Sequence, residues 1–241
     1  MGSSRIELDL RPSRAPARRR LDAGARERQI LEGAIAYFAE VGLDGQTREL
    51  ARRLGITQPL LFRYFPTKQH LIERIYEEVY LKRWKAEWEA IIADPSRPTI
   101  ERFRRFELDY QRTIDDYAWL RIFVSAGLKG YGLPQRYLGM VRERIFAPLL
   151  AAMRAEYRLP PPETQPLSPA EFELLFGIHG ALVYVGLRTQ VYGADAPSDH
   201  DALREALLDS SLPGLGEAFR AIVRREHKAA APTRPAVHEP G

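Results

Sequence analysis

Cysteine is absent from this 241-residue chain, which excludes disulfide staples and thiolate metal sites and is compatible with a reducing cytoplasm. Long apolar runs are missing too. The longest, Leu174 to Leu187, has His179 inside it and falls short of the ~20 residues that span a bilayer, so a buried helix is expected and no membrane partner. Residues 1–25 lack the apolar core of a signal peptide, and an intracellular, cytoplasmic protein is the expectation. No stretch alternates apolar and polar residues as a half-buried strand does. Catalytic signatures are absent as well: there is no H-E-x-x-H, no G-x-S-x-G and no phosphate loop, and the glycines at 127, 130 and 132 run into Pro134 as a loop between helices would. Ser198-Asp199-His200-Asp201 comes nearest to a metal site, yet a serine and acids are what opens a helix. The chain is read as no enzyme, with no cofactor, no metal and no catalytic residue.

Charge is nearly balanced, 36 Lys and Arg against 32 Asp and Glu, a net +4, and 45% of residues are apolar, enough for a core. Much of the basic excess sits in residues 1–25, where Arg11, Arg14, Arg18, Arg19 and Arg20 accompany two prolines; this arm and the tail from 228 to 241 are expected to be disordered. Between them the pattern is all-α. A long helix is expected from Lys68 to about Ala93, ended by Pro95 and Pro98. Pro160 to Pro169 marks a loop, Ser168 caps a helix from Pro169 to about Val191, and Pro213-Gly214 is expected to split the last segment into two helices.

Residues 46–68 read as two short helices around a tight turn. Thr47 is placed to cap the first, whose Leu50, Ala51 and Leu54 share a face; Gly55 supplies the turn and Thr57 caps the second. Leu61 and Phe65, four apart, anchor the second helix and leave Gln58, Pro59, Leu60 and Arg63 facing outward, an arrangement that fits a major groove. Arg48, Arg52, Arg53, Arg63 and Lys68 outnumber Asp44 and Glu49 locally, which suits phosphate. A helical corner inside an ordinary all-α domain is the alternative.

With the amphipathic helix of Ile30, Leu31, Ala34, Ile35 and Phe38 before it, the ordered set Phe38 to Gly42, Thr47, Gly55-Ile56-Thr57, Phe62-Arg63-Tyr64-Phe65 and Lys68 resembles the DNA-binding domain of the TetR family of repressors. The resemblance covers residues 26–71. It implies a three-helix helix-turn-helix domain joined by the long helix to a helical ligand-binding and dimerisation domain, residues 72–227. It also implies that Arg48 and Gln58 read bases; Lys68, in the first turn of the long helix where backbone amides point outward, and Tyr64, through its hydroxyl, are expected to grip phosphates. Two positions depart from the family pattern: Phe62 replaces the usual Tyr and loses a hydroxyl, and Tyr64 replaces the usual His. DNA contacts are thus assigned to Thr47, Arg48, Thr57, Gln58, Pro59, Leu60, Arg63, Tyr64 and Lys68, and the partner to a double-stranded operator.

Gly177, Gly180, Ala181 and Gly186 on the helix from Pro169 let another backbone approach closely. The resemblance favours a homodimer through residues 169–191 and 215–227, which would set two recognition helices about 34–36 Å apart on a near-palindrome. Close packing within one subunit is the alternative. From Trp84 to Tyr157 aromatics are dense, and most must be core. The resemblance implies a cavity for a small-molecule effector among them, lined by Phe106, Tyr110, Phe123, His179 and Tyr184 and coupled to DNA through the helix carrying Trp84 and Trp88. His179, lone on an apolar helix, also reads as a hydrogen-bonded core histidine. Arg121 and Arg188 are placed either for an anionic effector or for salt bridges to neighbouring acids. The expected function is a ligand-responsive repressor; a nonspecific DNA-binding architectural protein and a helical small-molecule-binding enzyme are the alternatives.

Overall fold

In the computed structural model, which describes residues 22–195 and 197–230, Asp22 accepts the Ala25 N–H at 2.7 Å and opens α1, Ala23–Val41. Ile30, Leu31, Ala34, Tyr37 and Phe38 recur at helical spacing and are buried, so this helix is held by one apolar face. It packs against α2, Thr47–Arg53, which in turn holds α3, Gln58–Tyr64; Thr67 then caps α4, Lys68–Val79, which also packs on α1, by accepting the His70 N–H at 3.0 Å.

The single long helix expected from Lys68 to Ala93 is three pieces. After α4 the chain makes one 3-10 turn, Leu81–Arg83, passes through extended Trp84 and Lys85, and restarts as α5, Ala86–Ala93. Tertiary contacts outweigh helix propensity at this break. Tyr80 is buried, its hydroxyl donates to the Trp119 carbonyl at 3.0 Å, and its ring lies 5.0 Å from that of Trp119. Trp84 and Trp88 turn their indole N–H groups to Glu89 at 2.9 Å and Asp109 at 2.6 Å. Buried indoles that find acceptors are favoured partners in a core.

The helical domain continues with α6, Thr99–Ile114, α7, Tyr117–Leu128, and α8, Leu133–Val141. A π-helical turn, Arg142–Phe146, carries α8 directly into α9, Ala147–Glu156. Pro148 lacks the N–H that an ordinary turn would donate to Arg144, and the widened turn, with Ala147 N–H bonded to the Arg142 carbonyl, absorbs that gap. Prolines 160–166 form the expected loop, and Ser168 with Glu171 makes a full capping box on α10, Pro169–Gln190. The first turn of α10 is pinned by a fully buried ion pair: Arg154 of α9 meets Glu171 through Nε at 2.8 Å and Nη2 at 2.5 Å.

Pro213 does not split the last segment. α11 runs unbroken from His200 to Ala230 with Pro213 inside it, so the helix also passes the expected start of the tail at 228. An interior proline costs about 3 kcal/mol. The buried stripe Leu208, Leu212, Leu215, Phe219 and Val223 keeps helical spacing across it, and burying five such side chains offsets that loss. Among the described residues there is no strand, as the all-α pattern predicted. Residues 22–25, expected to belong to the disordered arm, are instead the cap and first turn of α1, because Asp22 accepts the Ala25 N–H; the rest of the arm, up to residue 21, and the tail from 231 lie outside the described residues. By length and composition α10 could cross a bilayer, but it is packed against α6, α7, α9 and α11, and it keeps Glu171 and His179 buried and hydrogen-bonded.

Candidate nucleic-acid interface

The helix-turn-helix forms largely as its residues dictate, with departures at Thr47, Gln58 and Leu60. Leu50, Ala51, Leu61 and Phe65 are buried, and Gly55 takes φ 63°, the left-handed conformation at which a side chain is strained. Thr57 caps α3, its hydroxyl accepting the Leu60 N–H at 3.3 Å. Thr47 does not cap α2. The N-cap residue is the extended Gln46, which makes no side-chain cap bond, and Thr47 is already helical; its hydroxyl instead accepts from Gln58 Nε2 at 3.0 Å. This bond ties the starts of the two helices together. It also leaves Gln58 half-buried rather than fully outward, whereas Arg48, Pro59 and Arg63 are exposed and Leu60 is half-buried.

Charge divides the arginines into two groups. Arg52 binds Glu49 at 2.7 Å, and Arg53 binds Glu40 at 2.6 Å and Glu49 at 3.3 Å, so both are occupied by acids. Hydrogen bonding from Arg52 holds the Glu49 carboxyl down at about 2. Arg48 and Arg63 have no ion pair among the described residues and present their guanidinium groups outward. Lys68 is less free: it is half-buried with its amine 5.8 Å from the Phe38 ring centroid, and burial lowers its pKa against the opposing pull of Asp44. Phe62 and Tyr64 are half-buried, and Tyr64 packs against the core.

The seam that carries this domain was not legible in the sequence. Arg121 of α7 pairs with no acid among the described residues: Nε donates to the Ala39 carbonyl at 2.6 Å and Nη2 to that of Glu40 at 3.2 Å, capping the open end of α1. Ser125, one turn on, accepts the Leu43 N–H at 3.0 Å, and Lys129 pairs with Asp44 at 2.7 Å. No local pattern announces contacts 82 residues apart in the chain. Arg121→Ala should remove about 1–3 kcal/mol of charge-assisted bonding. The expected readout is faster amide exchange at residues 40–43; unchanged protection there would mean that Ser125 and packing alone hold the seam.

Of the five residues assigned to an effector, three come together. Phe106, Tyr110 and His179 are buried, with ring centroids 5.2 Å apart for Phe106–Tyr110 and 5.0 Å for Tyr110–His179. Phe123 lies in a neighbouring cluster, stacked on Trp119 at 4.9 Å. Tyr184 does not join them. It is 51% exposed on the outside of α10, beside Tyr192, because five residues past His179 is a rotation of about 140° around a helix. Gly177, Gly180 and Ala181 share its exposed side, whereas Gly186 faces inward, where a Cβ would sit 2.8 Å from Asp115 Oδ1. Arg188 lies over the Tyr184 ring rather than against an acid.

Asp115, in the turn between α6 and α7, hydrogen-bonds His200 at 2.6 Å and Arg204 at 2.7 Å, while Asp199 caps α11 by accepting the Ala202 N–H at 2.9 Å. The 198–201 segment is therefore a helix start, capped by Asp199 rather than Ser198. Burial pushes the Asp115 carboxyl up, but the bonds from His200 and Arg204 outweigh it and hold it below its ordinary 3.8. Since the native value is depressed, this contribution is fully present above about 3.8 and is lost as pH falls through the native value. Asp115→Asn should therefore destabilise the protein at pH 7 and progressively less in acid. A stability difference independent of pH would remove the carboxylate from the account.

Residues 30–75 match a family model described as "Bacterial regulatory proteins, tetR family". Among solved structures, a TetR family transcriptional regulator from Pseudomonas syringae pv. tomato is 17% identical, with a TM-score of 0.52 over 78% of this chain and 95% of that one. A TetR-like transcriptional regulator from a Rhodococcus species is 17% identical over 87% of this chain and 99% of that one, with a TM-score of 0.45. The first of these likenesses shows a shared fold.

Proposed function

We propose, from the match of residues 30–75 to the tetR family of bacterial regulatory proteins, that this chain is a cytoplasmic repressor that binds a near-palindromic operator as a homodimer. A small-molecule effector held in the helical domain releases it. The observation that carries DNA reading is the outward face of the helix-turn-helix: Arg48 and Arg63 project beside Pro59 and Leu60 with no ion pair among the described residues, while the neighbouring Arg52 and Arg53 are tied to acids. Free guanidinium groups on a helix that fits the major groove are the groups that dock on guanine and on phosphate. Selection of bound duplexes from a random pool tests this directly. A recurrent near-palindrome is expected; binding without preference would leave a DNA-architectural protein, and turnover of a bound small molecule would favour an enzyme.

Dimerisation through residues 169–191 and 215–227 is supported by the exposed side of α10, where Gly177, Gly180 and Ala181 form a flat strip beside Tyr184 and α11 packs alongside. A Cβ added at Gly177 or Gly180 meets nothing within 4 Å in the single chain. Bulk there leaves the subunit fold intact and acts only on whatever covers the strip. Gly177→Leu and Ala181→Arg should yield folded monomers whose operator affinity falls about tenfold or more, since each half-site then binds alone. Unchanged dimers by sedimentation for both variants would move the interface elsewhere.

A further inference from the structure

Two carboxylates are fully buried among the described residues, and they are satisfied in opposite ways. Glu171 faces the guanidinium of Arg154, whose remaining donors reach the carbonyls of Pro160, Gln165 and Pro166; the site is closed and charge-balanced. Glu107 has no Arg or Lys partner among the described residues. Its oxygens face His179 Nδ1 at 3.0 and 3.1 Å, and Oε2 accepts from Gln111 Nε2 at 3.1 Å. The carbonyl oxygen of Gln111, itself fully buried, has no hydrogen-bond partner among the described residues. A buried carboxylate without a permanent cation, beside an orphan acceptor, is an arrangement that a purely structural core avoids.

The surroundings define what would complete it. Phe106, Tyr110 and Phe146 are buried around the pair, with Phe176 half-buried beside them; the His179 ring centroid is 5.0 Å from that of Tyr110 and 5.7 Å from that of Phe146. Carboxylate and amide oxygens call for donors, and ring faces attract cations and apolar bodies. An anion would meet Glu107 with no compensating Arg or Lys in the cluster.

We propose that the effector is an apolar amine. Its ammonium group donates to Glu107 and to the orphan Gln111 oxygen, and its aromatic or alkyl body inserts among Phe106, Tyr110 and Phe146. This assignment rests on the ligand-responsive reading given above and deepens it. Entry separates Glu107 from His179, and because His179 lies on the inner side of α10 while Gly177, Gly180 and Ala181 lie on its outer side, the same displacement reaches the proposed subunit interface.

The test uses the full chain with its selected duplex and a matched panel: phenethylamine, naphthylmethylamine and octylamine, each with its neutral alcohol and its carboxylate counterpart. Binding is followed by calorimetry and by tryptophan fluorescence, since Trp88 packs on Tyr110 with ring centroids 5.1 Å apart. At least one amine should bind about tenfold or more tightly than its alcohol and weaken duplex binding, and Glu107→Gln should abolish that preference while leaving duplex binding in place. Should Glu107→Gln fail to fold, Gln111→Leu provides the second measurement, with the preference for the amine over its alcohol expected to fall several-fold. Equal binding of amine and alcohol, preference for the carboxylate, no amine binding at millimolar concentration, or full amine affinity in the variants would overturn the proposal. If the amines fail while the duplex is still bound with sequence preference, only the ligand class falls; loss of sequence preference itself would remove the regulator reading instead.

Discussion

Arg154→Met is expected to cost about 3–5 kcal/mol of folding stability, a large share of the roughly 5–15 kcal/mol typical of a domain. The arginine is fully buried, makes two bonds to Glu171 and donates to three loop carbonyls. Removing it leaves the Glu171 carboxylate uncompensated in the core and three backbone acceptors without their partner. Glu171→Leu added to Arg154→Met should recover only part of the loss, because those carbonyls, and the Ser168 N–H that donates to Glu171 at 2.8 Å, stay unpaired. Chemical denaturation of the two single variants and the double variant gives the coupling energy. An Arg154→Met variant within about 1 kcal/mol of the parent would show that the pair is replaceable by packing alone. The consequence reaches function, since this pair sets where α10 begins and hence how its exposed strip is presented.

On a selected operator, Arg48→Ala should cost about 1–3 kcal/mol, concentrated at one base pair of each half-site, with binding to random duplex little changed. Gln58→Ala should act similarly at a second position, with one difference that the structure introduces. Its amide donates to Thr47, so bidentate contact with adenine requires that bond to be exchanged for the base. Thr47→Val should therefore change Gln58-dependent discrimination while leaving that of Arg48 in place. Equal losses on operator and random duplex for Arg48→Ala and Gln58→Ala would assign these residues to the backbone rather than to bases.

Local chemistry made the helix-turn-helix legible. Leu50, Ala51, Leu61 and Phe65 sit at helical spacing, Gly55 is where a left-handed residue is needed, and Thr57 has an N–H three residues on to accept; each of these choices acts within a turn or two of chain. The same holds for the proline-rich loop and the Ser168–Glu171 box that opens α10. The all-α class followed from the same periodicities, because helix hydrogen bonds are local.

Only the tertiary structure decided the rest. Periodicity carried the helix after Lys68 through Tyr80, but burial of that ring against Trp119 ended it there, and nothing within Lys68–Ala93 specifies that pull. Pro213 reads as a breaker by its own chemistry, yet the buried stripe on either side of it belongs to one continuous packing surface, and the gain from that surface exceeds the cost of one missing hydrogen bond. Tyr184 differs from His179 by a rotation that a list of aromatics does not record, so only one of the two turns inward. Arg121 and Glu107 carry no motif at all: the first is defined by an α1 carbonyl 82 residues away, the second by a histidine 72 residues away. The sequence alone determined the all-α class, the turn and buried anchors of the helix-turn-helix, and the exposure of Pro59 and Arg63 on its second helix. Long-range packing determined where helices stop and which polar groups meet in the core, because those energies are set by neighbours that the chain brings together only on folding.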